Sequence, residues 1–391
     1  MEDNHKEEKT KLPAFEQGPI RPPSEARSLL VRVTRNCPWN RCRFCPVYKG
    51  SKFSLRSVDE VKSDISAMKY WEERVLEEST RLGFGGRLDN HSLPAIYQRN
   101  ADNPYMSAIL IWKSGGGKTA FLQDANSIIM RPPQLAEVLS FLRSNFPELE
   151  RATSYARSQT LSKRSEEDLK LLKESGLNRL HVGMESGSDK VLELVDKGST
   201  HDMHVDGGQK ALAAGFELSE YIMPGLGGKA LSEDHALETA RALNSINPHF
   251  VRIRSLGLRD GMPLYEDVKA GTFELPNDED MAREIRLLIA NLEGITSEIV
   301  SDHILNLLPE VEGRLPDDKQ KILEVIDRFL EMDEERRLQY IVGRRFGFME
   351  DLSDLDDRQR SEAARRALEK VRESGGEDVQ QTIREIVARF I

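Results

Sequence analysis

Arg35-Asn-Cys-Pro-Trp-Asn-Arg-Cys-Arg-Phe-Cys-Pro-Val-Tyr-Lys49 holds every cysteine of the chain: Cys37, Cys42 and Cys45. Three thiols within nine residues, and none elsewhere among 391, are not the scatter of structural cysteines. An odd number leaves a disulfide framework incomplete. Clustered thiolates instead bind soft metals. Three of them can hold three irons of a four-iron cluster and leave the fourth iron open, whereas clusters used only for electron transfer normally take four cysteines. The spacing C-x4-C-x2-C opens the plant-type ferredoxin pattern, but the distant fourth cysteine of that pattern is missing. A structural zinc site needs a fourth ligand such as a histidine, and the nearest one downstream is His91. Zinc completed by a remote histidine is the competing metal reading.

The stretch continues a strand, Leu29-Leu-Val-Arg-Val-Thr-Arg35. A helix follows from Val58 to about Glu78, with Val61, Ile65 and Met68 on one side and Ser57 or Asp59 as its cap. Segment 81–118 fits no regular element. It contains Gly83-Phe-Gly-Gly, Pro94, Pro104 and Gly115-Gly-Gly117, and an irregular insertion is expected there. Ser114-Gly-Gly-Gly-Lys-Thr119 invites a phosphate-loop reading, but Trp112 stands where that motif needs its first glycine. The run that follows, Ala120-Phe-Leu, also reads as strand rather than helix. From there the chain alternates. Strands are expected at 120–124, 152–156, 179–183, 217–223 and 250–256, and helices at 134–145, 165–174, 204–214 and 233–245. Six strands alternating with helices argue for an α/β fold of parallel βα units, curled into an open six-unit barrel or wound into a doubly wound sheet.

The strands offer a test of where a site would lie. In Phe250-Val-Arg-Ile-Arg-Ser255, Val251 and Ile253 share one face, and Arg252 and Arg254 the other. In Arg179-Leu-His-Val-Gly-Met-Glu185, Leu180 and Val182 share a face, and His181 and Glu185 the opposite one. The face that meets the helices must be apolar, so the polar set points inward. Closed barrels fill their interior with branched apolar side chains. A polar interior suggests instead a cavity that receives a ligand. Arg252 and Arg254 suit a carboxylate or phosphate, or an internal ion pair with Glu185 or Glu217. Ser301-Asp-His303 has no G-x-S-x-G elbow to accompany it, so a structural histidine is expected there.

The cysteine stretch resembles the cluster loop of radical S-adenosylmethionine (SAM) enzymes, whose usual pattern is C-x3-C-x-aromatic-C. Phe44 fills the aromatic slot before Cys45, and one extra residue lies between Cys37 and Cys42. The resemblance selects the partial (β/α)6 radical SAM barrel, a TIM-barrel-like fold, over the doubly wound sheet. It implies one 4Fe-4S cluster on Cys37, Cys42 and Cys45, with the amino and carboxylate groups of SAM on the open iron. It also implies an external one-electron reductant and cleavage of SAM to a 5′-deoxyadenosyl radical. Three further strand ends match family motifs in order. Gln123-Asp-Ala-Asn126 stands in the place of a glycine-glycine-acid motif, without its glycines, and makes Asp124 the candidate receptor for SAM's amino group. Gly183-Met-Glu-Ser-Gly187 is similar to the family's G-x-E-S-G segment, which implies Glu185 as acceptor for the ribose hydroxyls with Ser186 beside it. Ser186 or Ser188 also suits a helix N-cap. Met223-Pro-Gly-Leu-Gly-Gly228 resembles the glycine-rich segment beside the adenine, where Gly225 lets the backbone approach. Phe44 and Arg254 complete the candidate cofactor-binding set, and no general acid or base is assigned. The resemblance runs from about Leu29 to Gly271.

Composition narrows the partners. The net charge of −10 gives no support for non-specific nucleic-acid binding. No run approaches the roughly 20 apolar residues that cross a membrane. Met1 to Thr10 is charged and has no signal-peptide core, and free thiols suit the reducing cytoplasm. Residues 1–26 read as a polar leader expected to be disordered. Residues 27–275 are expected to form the barrel, and 276–391 a mainly helical region with helices at 278–292, 319–330, 334–342, 358–371 and 379–390. A seventh strand or an edge is expected within 296–307. With no cysteine outside the loop, a second cysteine-bound cluster and a catalytic thiol are both excluded. A small-molecule substrate is expected, its identity open. The rival reading is a zinc- or iron–sulfur-binding interaction protein without SAM chemistry.

Overall fold

The structure is a computed structural model and describes residues 12–375 and 379–387. Strand β1 (Leu29–Arg32) leads into a two-stranded ribbon, β2 (Thr34–Arg35) and β3 (Ser54–Leu55), which brackets the cysteine loop. The main sheet runs β1, β4 (Thr119–Gln123), β5 (Arg151–Ala156), β6 (Arg179–Glu185), β7 (Glu217–Ile222), β8 (Phe250–Ile253), β9 (Glu298–Val300) and β10 (Gly313–Arg314). Every pairing from β1 to β9 is parallel, and the β9–β10 pair is antiparallel. The first six parallel strands, in chain order with helices between them, form a partial (β/α)6 barrel. Its open side lies between β1 and the far edge. Residues 298–300 supply the additional strand expected near 296–307.

Strict alternation sets the two faces. Val31, Leu122, Ala152, Leu180, Val182, Leu218, Val251 and Ile253 turn outward into the main core beneath the helices. Phe121, Tyr155, His181 and Tyr221 turn inward, and their rings touch: Phe121 to Tyr155 at 5.0 Å and His181 to Tyr221 at 5.5 Å between centroids. The inward face is therefore aromatic and polar rather than aliphatic, as the alternation in β6 and β8 predicts. The helix Val58–Arg81 begins with a capping box between Ser57 and Glu60, and Val61, Ile65 and Met68 are buried on its inner side.

Two segments differ from expectation. Within 81–118 there are two helices, Ser92–Asn100 and Pro104–Ser114. Pro104 occupies the first turn of the second, where no N–H is needed, and Asn103 caps it by accepting from Tyr105 and Met106 N–H at 3.1 Å each. The prolines that read as breakers are helix starts. Residues 12–26 of the leader are also held in place. Phe15 is buried against Tyr105, and Glu16 accepts from Arg32 at 2.5 Å and from Arg35 at 2.9 Å. Gln123 binds Gly18 in both directions, at 2.9 Å and 3.2 Å. Specific pairings order this segment, and average polarity does not reveal them. The first eleven residues lie outside the described residues.

The C-terminal region is helical as expected, over Asp278–Ala290, Lys319–Leu330, Glu334–Arg345, Arg358–Gly375 and Val379–Val387. The expected last helix extends to Phe390, but 388–391 lie outside the described residues. Arg345 docks Glu334–Arg345 by pairing with Asp278 and donating to the Leu305 carbonyl at 2.9 Å. No helix among the described residues is long and apolar enough to cross a membrane.

A short 3-10 turn, Pro23–Glu25, delivers Glu25 fully buried under the sheet. Glu25 takes a hydrogen bond from Ser28 at 2.5 Å and pairs with Arg151 at 3.2 Å and His181 at 3.6 Å. Burial alone would raise its pKa, yet His181, Arg151 and Ser28 together hold it below the ordinary 4.5. A lowered value means that this stabilisation is complete above the unfolded value and is lost as pH falls through the folded one. Glu25→Ala should cost about 2 kcal/mol, less than a fully buried pair because Arg151 keeps some solvent. Urea unfolding across pH 3 to 7 checks this: the variant should lose stability at neutral pH and show a flatter acid limb.

Candidate functional site

The cysteine loop leaves β2 and returns in β3. Asn36 and Asn40 take left-handed backbone conformations, with φ of 67° and 50°, which asparagine tolerates better than most residues. The Asn40 N–H points at Cys37 Sγ at 3.4 Å, its side-chain amide donates to the Tyr48 carbonyl at 2.5 Å, and its own carbonyl accepts from Lys49 at 3.0 Å. Asn40, one of the four residues between Cys37 and Cys42, makes a left-handed kink in the loop there. Asp124, just past β4, anchors the loop from beneath. Fully buried, it accepts from Arg32 Nε at 2.8 Å, Tyr48 OH at 3.0 Å and the Asn36 N–H at 3.1 Å. Its carboxylate is thus occupied by the loop's own donors, and the residue expected to receive an amino group acts first as a fastening point.

Cys42 is buried, Cys37 and Cys45 are partly exposed, and all three are free thiols. Burial pushes the Cys42 and Cys45 thiols up. Lys197 and Arg157 pull Cys42 back down, while neighbouring thiols raise both. The three sulfurs therefore sense one another. Among the described residues, no group of three or more histidine, cysteine or acidic side chains is closed up as a metal cage. The donor set nevertheless suits a sulfur-bound cluster, being three thiols on one loop. Behind them Cys42 and Phe44 join a second apolar cluster with Val191, Leu226, Leu256 and Leu258, separate from the main core.

The other candidates stand at neighbouring strand ends. The β6–β7 register slips between Gly183 and Glu185, and Glu185 takes a φ of 65°. Its carboxylate meets Lys197 Nζ at 3.0 Å, and that ammonium lies 5.8 Å from the Phe44 ring. Trp39 of the cysteine loop donates to the Asp196 carbonyl at 2.7 Å and lies on Gly198, where a Cβ would stand 2.3 Å from the indole. Cluster loop and Glu185–Lys197 segment are thereby joined. Ser186 is fully buried and accepts from the Ser188 N–H at 3.0 Å, while Ser188 caps the helix Asp189–Leu194. Gly225, with φ of 88°, donates its N–H to Glu284 at 2.7 Å.

The inward arginines part company. Arg252 pairs with Asp302 at 2.8 Å and donates to Ser219 at 3.1 Å, while Glu217 pairs with Arg179 at 2.7 Å. Neither Glu185 nor Glu217 forms the ion pair considered for Arg252. Arg254 lies 4.3 Å over the Tyr221 ring, and among the described residues no carboxylate is within ion-pair distance of it. Ser301 donates to the Leu308 carbonyl at 3.0 Å and Asp302 serves Arg252, so no triad forms around His303. Lys197, Asn40 and Glu284 carried no signal of their own in the sequence. The one available hint was Asp196-Lys-Gly198 close behind the Gly183–Gly187 motif.

A family model described as the radical SAM superfamily matches residues 31–241, more than half of the chain, and the chain belongs to that superfamily. Members of that superfamily use a 4Fe-4S cluster and SAM, and membership marks this chain as an enzyme. The heme chaperone HemW of Bacillus subtilis is 25% identical over 179 residues, which is 45% of this chain and 46% of that protein. A tRNA uridine(34) acetyltransferase of Methanocaldococcus infernus is 26% identical over 122 residues, 31% of this chain and 23% of that protein. The chain thus spans about half the length, or less, of these curated relatives. Among solved structures, coproporphyrinogen III oxidase (HemN) of Escherichia coli aligns with a TM-score of 0.44 at 15% identity, covering 68% of this chain and 52% of that one.

Asp124→Ala should release Arg32 and Tyr48 inside the fold and cost about 3 kcal/mol or more. Tyr48→Phe removes one donor and should cost about 1 kcal/mol. Thermal and urea unfolding of both variants measure the two losses, and the order Asp124 over Tyr48 is the expected result.

Proposed function

We propose that the protein binds one 4Fe-4S cluster on Cys37, Cys42 and Cys45 and uses SAM at its open iron to act on a small-molecule substrate, with an electron from an external one-electron reductant. The carrying observation is the cysteine loop itself: three thiols with no fourth cysteine in the chain, fastened by Asp124 at the end of a barrel strand. When bound, the cluster supplies the electron that breaks a carbon–sulfur bond of SAM and yields the 5′-deoxyadenosyl radical. The chain's residues bind and orient. Lys197 holds the Glu185 carboxylate at 3.0 Å, leaving its remaining lone pairs for the ribose hydroxyls. Ser186 fixes the start of the following helix and so the direction of Glu185. Gly225 supplies backbone without a side chain for the adenine, and Phe44 supplies apolar wall behind the loop.

Arg254 is the receptor for a carboxylate. A half-buried guanidinium without an acidic partner is costly, and a ligand carboxylate would relieve that cost. Residues 27–275 form the catalytic barrel in this reading, and the helices of 276–391 form a region docked on it through contacts such as Arg345 to Asp278. A reducing compartment such as the cytoplasm suits the free thiols.

Anaerobic isolation followed by iron, sulfide and zinc analysis tests the metal. About four irons and four sulfides per chain are expected, with loss of most iron in any one of Cys37→Ser, Cys42→Ser or Cys45→Ser. SAM and a strong reductant should then release 5′-deoxyadenosine from the native protein and not from the variants. Stoichiometric zinc without iron would establish the rival interaction protein and overturn this reading.

A further inference from the structure

We propose that Glu284 and His235 form a brace that fixes the Gly225 backbone relative to the Glu185 backbone, and that Glu284 is a positioning residue for the SAM nucleoside. This rests on the assignment of Glu185 and Gly225 to that nucleoside. Glu284 sits on the helix Asp278–Ala290, beyond the family-matched residues 31–241, and only 4% of it is exposed. One carboxyl oxygen accepts the Gly225 N–H at 2.7 Å, and the other accepts Ser232 Oγ at 2.5 Å. The same oxygen that holds Gly225 stands 3.5 Å from His235 Nδ1. On the far side of that imidazole, Nε2 stands 3.2 Å from the Glu185 carbonyl oxygen. Since a carbonyl can only accept, Nε2 carries the proton in this arrangement and Nδ1 presents a lone pair to Glu284. Nδ1 is buried and makes no hydrogen bond in this structure, with the Glu284 oxygen 3.5 Å away. A proton on the Glu284 carboxyl, offered to that lone pair, would complete the chain Gly225, Glu284, His235, Glu185. It then ties the two strand ends together from a helix that does not itself enter the barrel.

The surroundings agree. Burial raises the Glu284 pKa to about 7, against the pull of Ser232 and the Gly225 N–H, with Asp280 raising it further. Burial lowers His235 to about 4, with Asp234 opposing, so the imidazole is neutral at ordinary pH. The charged groups nearby are Asp234 on the helix of His235, held by Lys190 and Ser188, and Asp280 on the helix of Glu284, 3.5 Å from Lys229. A carboxyl raised from 4.5 to about 7 contributes stability that is complete below the unfolded value and lost as pH rises through the folded one.

The test measures S-adenosylhomocysteine binding by calorimetry on cluster-loaded protein between pH 6 and 8, with iron content and thermal midpoint recorded for each sample. Wild type should bind several-fold more weakly at pH 8 than at pH 6. Glu284→Gln cannot both donate to Nδ1 and accept the Gly225 N–H through one atom, so it should bind more weakly than wild type at pH 6 and, having no carboxyl to ionise, show a flat profile. Glu284→Ala should weaken binding about tenfold at pH 6, the worth of one lost hydrogen bond, with iron content unchanged. The thermal midpoint of wild type should also fall between pH 6 and 8, and that of Glu284→Gln should not. A Glu284→Gln profile parallel to wild type, or unchanged affinity in Glu284→Ala, overturns the brace alone. Failure of loaded wild type to bind S-adenosylhomocysteine at any pH overturns the SAM assignment and the brace with it. Should Glu284→Ala fail to fold, the Glu284→Gln profile and the thermal midpoints decide the matter.

Discussion

The buried carboxylate of Asp124 is the interaction on which the cysteine loop depends. A loop of some eighteen residues between β2 and β3 has little regular hydrogen bonding of its own. An anion placed beneath it collects a guanidinium, a phenol and a backbone N–H from three separate points, Arg32, Tyr48 and Asn36. Each of these is restricted by the same acceptor, so one charge joins three points around the loop, which Asn40 and the packing of Trp39 and Phe44 also hold. Arg32 passes the constraint on to Glu16 of the leader at 2.5 Å, and Glu16 to Arg35. Leader, first strand, second strand and loop are one electrostatic unit.

The barrel interior shows a second arrangement of costs. Phe121, Tyr155, His181 and Tyr221 build an aromatic floor, and Arg252 above it is neutralised by Asp302. Arg254, one layer further toward the strand ends, keeps its charge uncompensated by any acid within reach among the described residues.

Much of this was legible in the sequence for a definite reason. The six parallel strands announce themselves because short apolar or alternating runs are separated by helical periodicity, and both patterns are local. The cysteine loop was legible because its three thiols are the only cysteines of the chain and stand within nine residues. Features set by distant pairs were not. Glu25 and Glu16 look like ordinary leader charges until Arg151, His181 and Arg32 are brought beside them. Pro104 looks like a breaker until Asn103 caps the helix it starts. Asp124 was placed correctly at its strand end, but its carboxylate turned out to face the loop's donors. Glu284 lies far in sequence from the Gly225 N–H it holds, and no spacing rule connects it or Lys197 to its partner.

The burial of Glu25 has a consequence in time. Its partners Arg151 and His181 lie more than a hundred residues later in the chain. During synthesis from the N-terminus, the turn at Pro23–Glu25 is complete long before β5 and β6 exist to receive it. Until then Glu25 must remain hydrated, and the underside of the growing sheet must remain open. That turn is therefore made before its partners, and contacts of this range slow folding because loop closure precedes their reward.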